Sequence, residues 1–177
     1  EAGVLEDFES REWPAEGWTV VGSGGEISRD CYEGRYCLTD PGWHYMESPR
    51  TAVSGAILSA WIKLDSASGG RAYLGFDGSE EGTKSFVAAP NAGDIRFQRN
   101  DGYGYEELTT ASTTFTSGVW YRMEVALYSG GVAVGSLYDE DGVLVSTVTE
   151  TFDEGWGGGG VTLRSFSTIT WDYITLE

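Results

Sequence analysis

The stretch Ala56-Ile-Leu-Ser-Ala-Trp-Ile-Lys-Leu64 decides the class of fold. Leu58, Ala60, Ile62 and Leu64 recur at every second position, and Ser59, Trp61 and Lys63 fill the places between. A β-strand sends successive side chains to opposite faces, so the segment carries one apolar face for a core and one mixed face for a surface. The same period extends along the chain. Arg71-Ala-Tyr-Leu-Gly-Phe76 sets Leu74 and Phe76 against Arg71 and Tyr73, and Asp94-Ile-Arg-Phe-Gln-Arg99 sets Ile95 and Phe97 against Arg96 and Gln98. Trp120-Tyr-Arg-Met-Glu-Val-Ala-Leu-Tyr128 sets Tyr121, Met123, Val125 and Leu127 against Trp120, Arg122 and Glu124. Further strands are predicted at 132–138, 143–149, 161–166 and 169–176, with Gly-rich or Asp-rich breaks between them. Asp139-Glu-Asp-Gly142 contains the Asp-Gly pair that favours a tight hairpin. No helical period persists beyond about two turns. About ten short strands punctuated by turns predict an all-β, two-sheet antiparallel sandwich, with residues 1–177 as one domain.

The totals agree with a folded β domain. The 177 residues are 40% hydrophobic and 14% aromatic, enough to bury a core without help from metals or disulfides. Twenty-eight acidic residues against 11 basic ones give a formal charge of -17, and Lys63 and Lys84 are the only lysines. A field of that sign repels phosphate backbones and anionic lipid, so nucleic acid and membrane insertion are not expected. The charge suits a surface hydrated in concentrated salt, as in a halophilic source, and equally an ordinary acidic extracellular domain. No apolar run approaches the ~20 residues needed to cross a bilayer. The opening Glu1-Ala2-Gly3 reads as a mature or excised segment. Cys31 and Cys37 flank Tyr-Glu-Gly-Arg-Tyr, and a hairpin turning at Gly34 would bring them within disulfide reach, as expected of an oxidising, secreted setting. Two free thiols are the alternative; no further Cys or second His stands by to complete a zinc site.

Two sets of short signals, in order, mark the ends. Asp7-Phe8-Glu9 leads to Gly17-Trp18-Thr19 and Glu33-Gly34-Arg35-Tyr36-Cys37-Leu38. Gly118-Val119-Trp120-Tyr121-Arg122 leads through Tyr138-Asp-Glu-Asp-Gly142 to Leu163-Arg164-Ser165 and Thr170-Trp171-Asp172-Tyr173-Ile174. The chain thereby resembles the concanavalin A-like and laminin G-like jelly rolls and the carbohydrate-binding modules related to them. The resemblance implies a structural calcium held where the first and last strands meet. The matching positions are Glu9 and Asp172, with Asp7 and carbonyls around Gly34; otherwise these are solvated strand residues.

Motifs for catalysis are missing. The only histidine, His44, lies in Trp43-His44-Tyr45, four residues after Asp40, and no G-x-S-x-G elbow accompanies it; it reads as one polar residue of an aromatic loop. The E-x-D-x-x-E spacing of jelly-roll glycosidases is absent. Glu80-Glu81, Glu106-Glu107 and Asp139-Glu140-Asp141 fall in predicted turns, where solvation is their role. An EF-hand counted from Asp139 fails at Val143 and Leu144, which take the places of an oxygen ligand and a glycine.

Binding is better supported. Sugars are recognised by aromatic rings bordered by planar hydrogen-bonding groups, and the mixed strand faces supply both. Trp61, Arg71, Tyr73, Arg96, Gln98, Trp120, Arg122 and Glu124 would line one outer face if their strands neighbour one another. Trp61 and Trp120 could instead pack under a loop. Tyr103 and Tyr105, flanked by glycines in Asn100-Asp-Gly-Tyr-Gly-Tyr105, form a second candidate, and Trp43-His44-Tyr45 a third. The expectation is a secreted, lectin-like module that binds a glycan or polysaccharide without cleaving it. The rivals are a structural or adhesion protein, such as a viral decoration or cell-surface component, that binds a protein partner or itself, and a glycan-cleaving enzyme of the same fold.

Overall fold

In a computed structural model that describes residues 3–101 and 104–177, two antiparallel sheets lie face to face. The first is built from β1 (Val4–Glu6), β3 (Glu26–Ser28), β4 (Cys37–Thr39), β6 (Ile57–Leu64), β11 (Trp120–Leu127), β12 (Val132–Tyr138), β13 (Leu144–Thr151) and β15 (Ile169–Leu176). Its order is β13-β12-β11-β6-β15-β4-β3, with β1 also paired to β15. The second comprises β2 (Trp18–Val20), β5 (His44–Arg50), β7 (Arg71–Gly78), β8 (Gly82–Ala89), β9 (Asp94–Asp101), β10 (Gly104–Ser112) and β14 (Gly160–Phe166), in the order β10-β9-β8-β7-β14-β5-β2. This is the predicted all-β jelly-roll sandwich, and the chain's first and last strands pair, Val4 opposite Thr175.

The eight predicted strands are present as β6, β7, β9, β11, β12, β13, β14 and β15. Unpredicted β8 ends in Phe86, Val87, Ala88 and Ala89, all fully buried, so it shows no alternation to read. Two local expectations are corrected. Trp43-His44-Tyr45 is no loop: His44 and Tyr45 open β5, paired on both sides with β2 and β14. Glu106 and Glu107 belong to edge strand β10 and pair with Arg99 and Gln98 of β9.

The core is filled from both sheets. Phe76 and Phe97 of the second sheet meet Phe152 edge-to-face at 5.8 and 5.9 Å, and Phe86 points across to β12. There Gly135 makes room, since a Cβ at that position would lie 2.6 Å from the Phe86 ring. Beyond β7, residues 157–160 are held over the sheet end by Asp77. Its carboxylate accepts the Lys84 ammonium at 2.7 Å and the N–H groups of Gly157 and Gly159 at 2.8 and 2.7 Å. Beside it, Arg99 donates twice to Glu154, at 2.7 and 2.9 Å.

Two stability predictions follow from these contacts. Gly135→Ala overpacks against Phe86 and should cost about 1–3 kcal/mol, seen as a lower urea midpoint with an unchanged slope. The hydrogen-bonded Arg99 guanidinium holds the Glu154 carboxyl down to about 2. Its folded value is depressed, so the pair stabilises the fold above about pH 4.5 and loses that contribution as the pH falls towards 2. The penalty of Glu154→Gln should therefore be visible at pH 7 and shrink as the pH falls through about 2. Because the Glu154 side chain is 43% exposed, it should stay below about 1 kcal/mol.

Candidate ligand-binding faces

The predicted binding residues do not share one face. Trp61, Trp120, Arg122 and Glu124 stand on the outer side of the first sheet, whereas Arg71, Tyr73, Arg96, Gln98 and Tyr105 belong to the second. The division follows from topology: β6 and β11 pair with each other, and β7, β8 and β9 pair in the opposite layer. Tyr103 lies outside the described residues.

On the first sheet the aromatic rings are covered. Tyr32 stacks on Trp61, centroids 3.8 Å apart and planes within 15°, and meets Trp120 edge-on at 6.0 Å. The Lys63 ammonium sits 5.3 Å over Trp120 and pairs with Asp30. Arg122 is committed to Glu124, at 2.5 Å, and to the face of Tyr138. Trp61 and Trp120 thus pack beneath the 29–36 loop, an arrangement the sequence leaves open but does not choose.

The outer side of the second sheet differs. Residues directly opposite in antiparallel strands share a face, so the register draws rows across it. One row runs Tyr45, Thr162, Gly75, Ser85, Gln98, Glu107. The next holds Arg164, Tyr73, Val87 and Arg96; on the other side of the first row, Thr83, Asn100 and Tyr105 form a third. Tyr73, Val87 and Ala89 form a small apolar cluster separate from the core, with the Arg164 guanidinium 5.2 Å over the Tyr73 ring. Arg96 is neutralised by Asp94, at 2.6 Å, and Glu107, at 2.9 Å. The guanidinium of Arg71 lies 5.7 Å from the Tyr105 ring, joining β7 to β10 across the face.

This face holds buried polar atoms with no protein partner. They are the Ser85 hydroxyl, both amide atoms of Gln98, Oδ1 of Asn100 and the Thr162 hydroxyl. Ser85 and Gln98 are 0% exposed, and an amide or hydroxyl left unpaired in such a place costs about 1–3 kcal/mol. Thr83 and Asn100, from the third row, also line a cleft of about 480 Å³ together with Asp77, Lys84, Arg99 and Glu154 among others. Of these unpartnered residues the sequence pointed only to Gln98. Ser85 and Thr162 lie in strands buried on both faces, and nothing in the order of residues sets them apart.

The proposed calcium position lies on the opposite sheet. Asp172 on β15 is fully buried under the 29–36 loop, beside the Cys31–Cys37 disulfide, whose Cα atoms are 5.5 Å apart. It accepts the N–H groups of Glu33 at 2.9 Å and Tyr173 at 2.8 Å. Burial pushes its carboxyl up to about 7, the Glu9 charge adds to the rise, and the surrounding backbone N–H groups oppose it. Glu9 caps the other side of the loop, accepting the N–H groups of Arg35 at 2.8 Å and Tyr36 at 3.0 Å. Gly34 is required between them: its φ is +67°, and a Cβ there would fall 2.1 Å from Glu9 Oε1. Asp7, Glu9, Glu33, Gly34 and Tyr173 line a depression of about 260 Å³. Oxygen donors of this kind suit a hard cation, although Asp172 itself does not line the depression. Asp7 lies at the rim, its carboxylate spent on the N–H of Glu9. The nearby sulfurs are taken up in the disulfide.

The remaining motifs are structural. His44 is 1% exposed, with Nδ1 3.0 Å from the Gly42 carbonyl oxygen and its ring 4.6 Å from Trp13, and burial lowers its pKa. Asp40 accepts the N–H of Ile169. Asp139 accepts the N–H groups of Asp141 and Val143, closing the β12–β13 hairpin instead of a calcium loop.

Comparison with known proteins places this architecture. No curated protein sequence matches the chain. Among solved structures it is similar to the carbohydrate-binding module CBM66 from Bacillus subtilis, with 17% identity, 91% of this chain and 95% of that one covered, and a TM-score of 0.64. It is similar to galectin LEC-6 of Caenorhabditis elegans at 15% identity, 72% and 86% covered, with a TM-score of 0.53. Bacteroides ovatus xyloglucan PUL GH43B gives 10% identity and a TM-score of 0.63 over the whole of this chain and 39% of that one. At these identities the likeness is one of fold. Residues 43–166 match the family model described as the concanavalin A-like lectin/glucanases superfamily, and the chain belongs to that family.

Proposed function

We propose that the chain is a non-catalytic, secreted glycan-binding module that holds a neutral sugar on the outer face of its second sheet. The observation that carries this reading is the group of unpartnered polar atoms on Ser85, Gln98, Asn100 and Thr162. Hydroxyls and a primary amide both donate and accept, as sugar hydroxyls do, and the formal charge of Arg96 beside them is already matched by Asp94 and Glu107. Tyr73 and Tyr105 supply rings for the C–H faces of a sugar. Asn100, which also lines the cleft, is the first of these groups a ligand entering there would meet. The fold shared with CBM66 and a galectin supports the same reading. The Cys31–Cys37 disulfide supports an extracellular setting.

Cleavage is not favoured. A glycosidase needs one carboxyl kept protonated near neutrality and a second across a cleft. In the cleft Asp77 is gripped by three donors and Glu154 is held ionised by Arg99, while Asp172, its carboxyl raised to about 7, is buried on the other sheet. A protein partner or self-association has no comparable feature in its support. Calcium is part of the proposal. Glu9 and Asp172, with backbone carbonyls near Gly34, would hold the ion, whose role is to offset the proximity of two carboxylates and fasten β1 to β15 and the 29–36 loop.

Gln98→Met tests the sugar face. Removing an unpartnered buried amide at similar volume should leave the melting temperature unchanged or higher, while affinity for a neutral polysaccharide falls at least about tenfold on a glycan array and by calorimetry. Unchanged binding, or no neutral glycan bound by the wild type, would refute the reading. For the ion, calcium at about a hundred times its Kd should add about 2.7 kcal/mol, a rise of roughly 5–10 °C in Tm over the chelator-treated protein. Asp172→Asn should abolish that increment. An identical Tm in calcium and chelator would remove calcium from the account.

A further inference from the structure

Among the described residues, Lys63, Lys84, Arg96, Arg99 and Arg122 are ion-paired. Arg11, Arg29 and Arg35 are not, although carboxylates outnumber cations 28 to 11 in the chain; among the described residues none of the three has a carboxylate oxygen within 4.0 Å. All three are exposed, and Arg11 and Arg29 converge on one ring beside Arg35. The guanidinium of Arg11 lies 5.0 Å and that of Arg29 5.8 Å from the ring centre of the same residue, Tyr36. Arg29, Gly34, Arg35 and Tyr36 line a surface depression of about 520 Å³.

The scaffold under the cluster is fixed. The disulfide closes the loop at Cys31 and Cys37, and the Glu9 carboxylate pins the N–H groups of Arg35 and Tyr36 from beneath. The nearby Asp30 is turned to Lys63. Arg11 itself takes a left-handed backbone, φ +67°, a conformation disfavoured for a side chain of its size, and its guanidinium stands over Tyr36. Guanidinium groups are planar forks that match sulfate and carboxylate oxygens in pairs. We infer that Arg11, Arg29 and Arg35 form a second site, distinct from the neutral-sugar face, that binds the sulfate or carboxylate groups of an acidic polysaccharide. The net charge of -17 does not prevent this. At about 0.15 M salt the screening length is about 8 Å, so distant carboxylates are screened while contacting guanidiniums are not. The same net charge, and a patch only three arginines wide, disfavour a nucleic-acid duplex, which presents phosphates along its whole length.

The test compares wild type with the double variant Arg29→Ala/Arg35→Ala in calorimetric titrations against dextran sulfate, polygalacturonate and neutral dextran at about 0.15 M salt. Wild type should bind at least one of the two acidic polymers more tightly than neutral dextran, and which one identifies sulfate or carboxylate as the recognised group. The double variant should lose at least tenfold in that affinity, with a shallower dependence on salt, while Tm and any Gln98-dependent neutral-glycan binding stay as in wild type. That last comparison separates failure of this site from failure of the sugar face. Equal acidic-polymer binding by the two proteins, no such binding by wild type even at low salt, or preference for duplex DNA over both acidic polymers would overturn the inference.

Discussion

The inward placement of Phe76, Phe86 and Phe97 governs the second sheet. A strand alternates strictly, so a shift of one residue would exchange its two faces. With Phe76 and Phe97 locked against Phe152 and Phe86 seated over Gly135, the residues of opposite parity must stand on the outer side. Ser85 follows from Phe86, Gln98 from Phe97, and Gly75 from Phe76 and Leu74. Packing in the core thereby decides which polar groups occupy the far face.

That face is costly to maintain. An apolar or fully paired set of residues would be more stable there than Gln98 with neither amide atom engaged. Sites that keep unpaired polar groups trade stability for recognition, and the rest of the fold offsets the expense. The first sheet does the reverse: its outward Trp61, Trp120 and Asp172 lie under a disulfide-closed loop, so that face is spent on holding the chain ends together. One sheet anchors the chain ends, and in the proposed reading the other binds.

Much of the architecture was legible because alternation is a local signal. Leu58 to Leu64 and Tyr121 to Leu127 declare their faces without reference to any other strand. What was not legible is which strands share a layer. Trp61 and Tyr73 carry the same pattern, and only the pairing of β6 with β11 and of β7 with β8 separates them. Ser85 and Thr162 escaped notice because strands buried on both faces carry no polar stripe. The meeting of Arg11, Arg29 and Arg35 depends on a loop folding back over residues far from it in the chain, and composition alone showed only a surplus of acid. The pairing of β1 with β15 was anticipated through family resemblance, not through periodicity, since Val4–Glu6 is too short to show any.

The central claim is that the outer row of the second sheet is the recognition face. It is tested most directly by following the Gln98 side-chain amide by NMR during titration with a neutral oligosaccharide. The account predicts that this resonance and the backbone amides of β7, β8, β9 and β14 shift together with one saturation curve, while those around Trp61 and Tyr32 stay in place. Shifts confined to the first sheet, with the Gln98 amide unmoved at saturation, would contradict it.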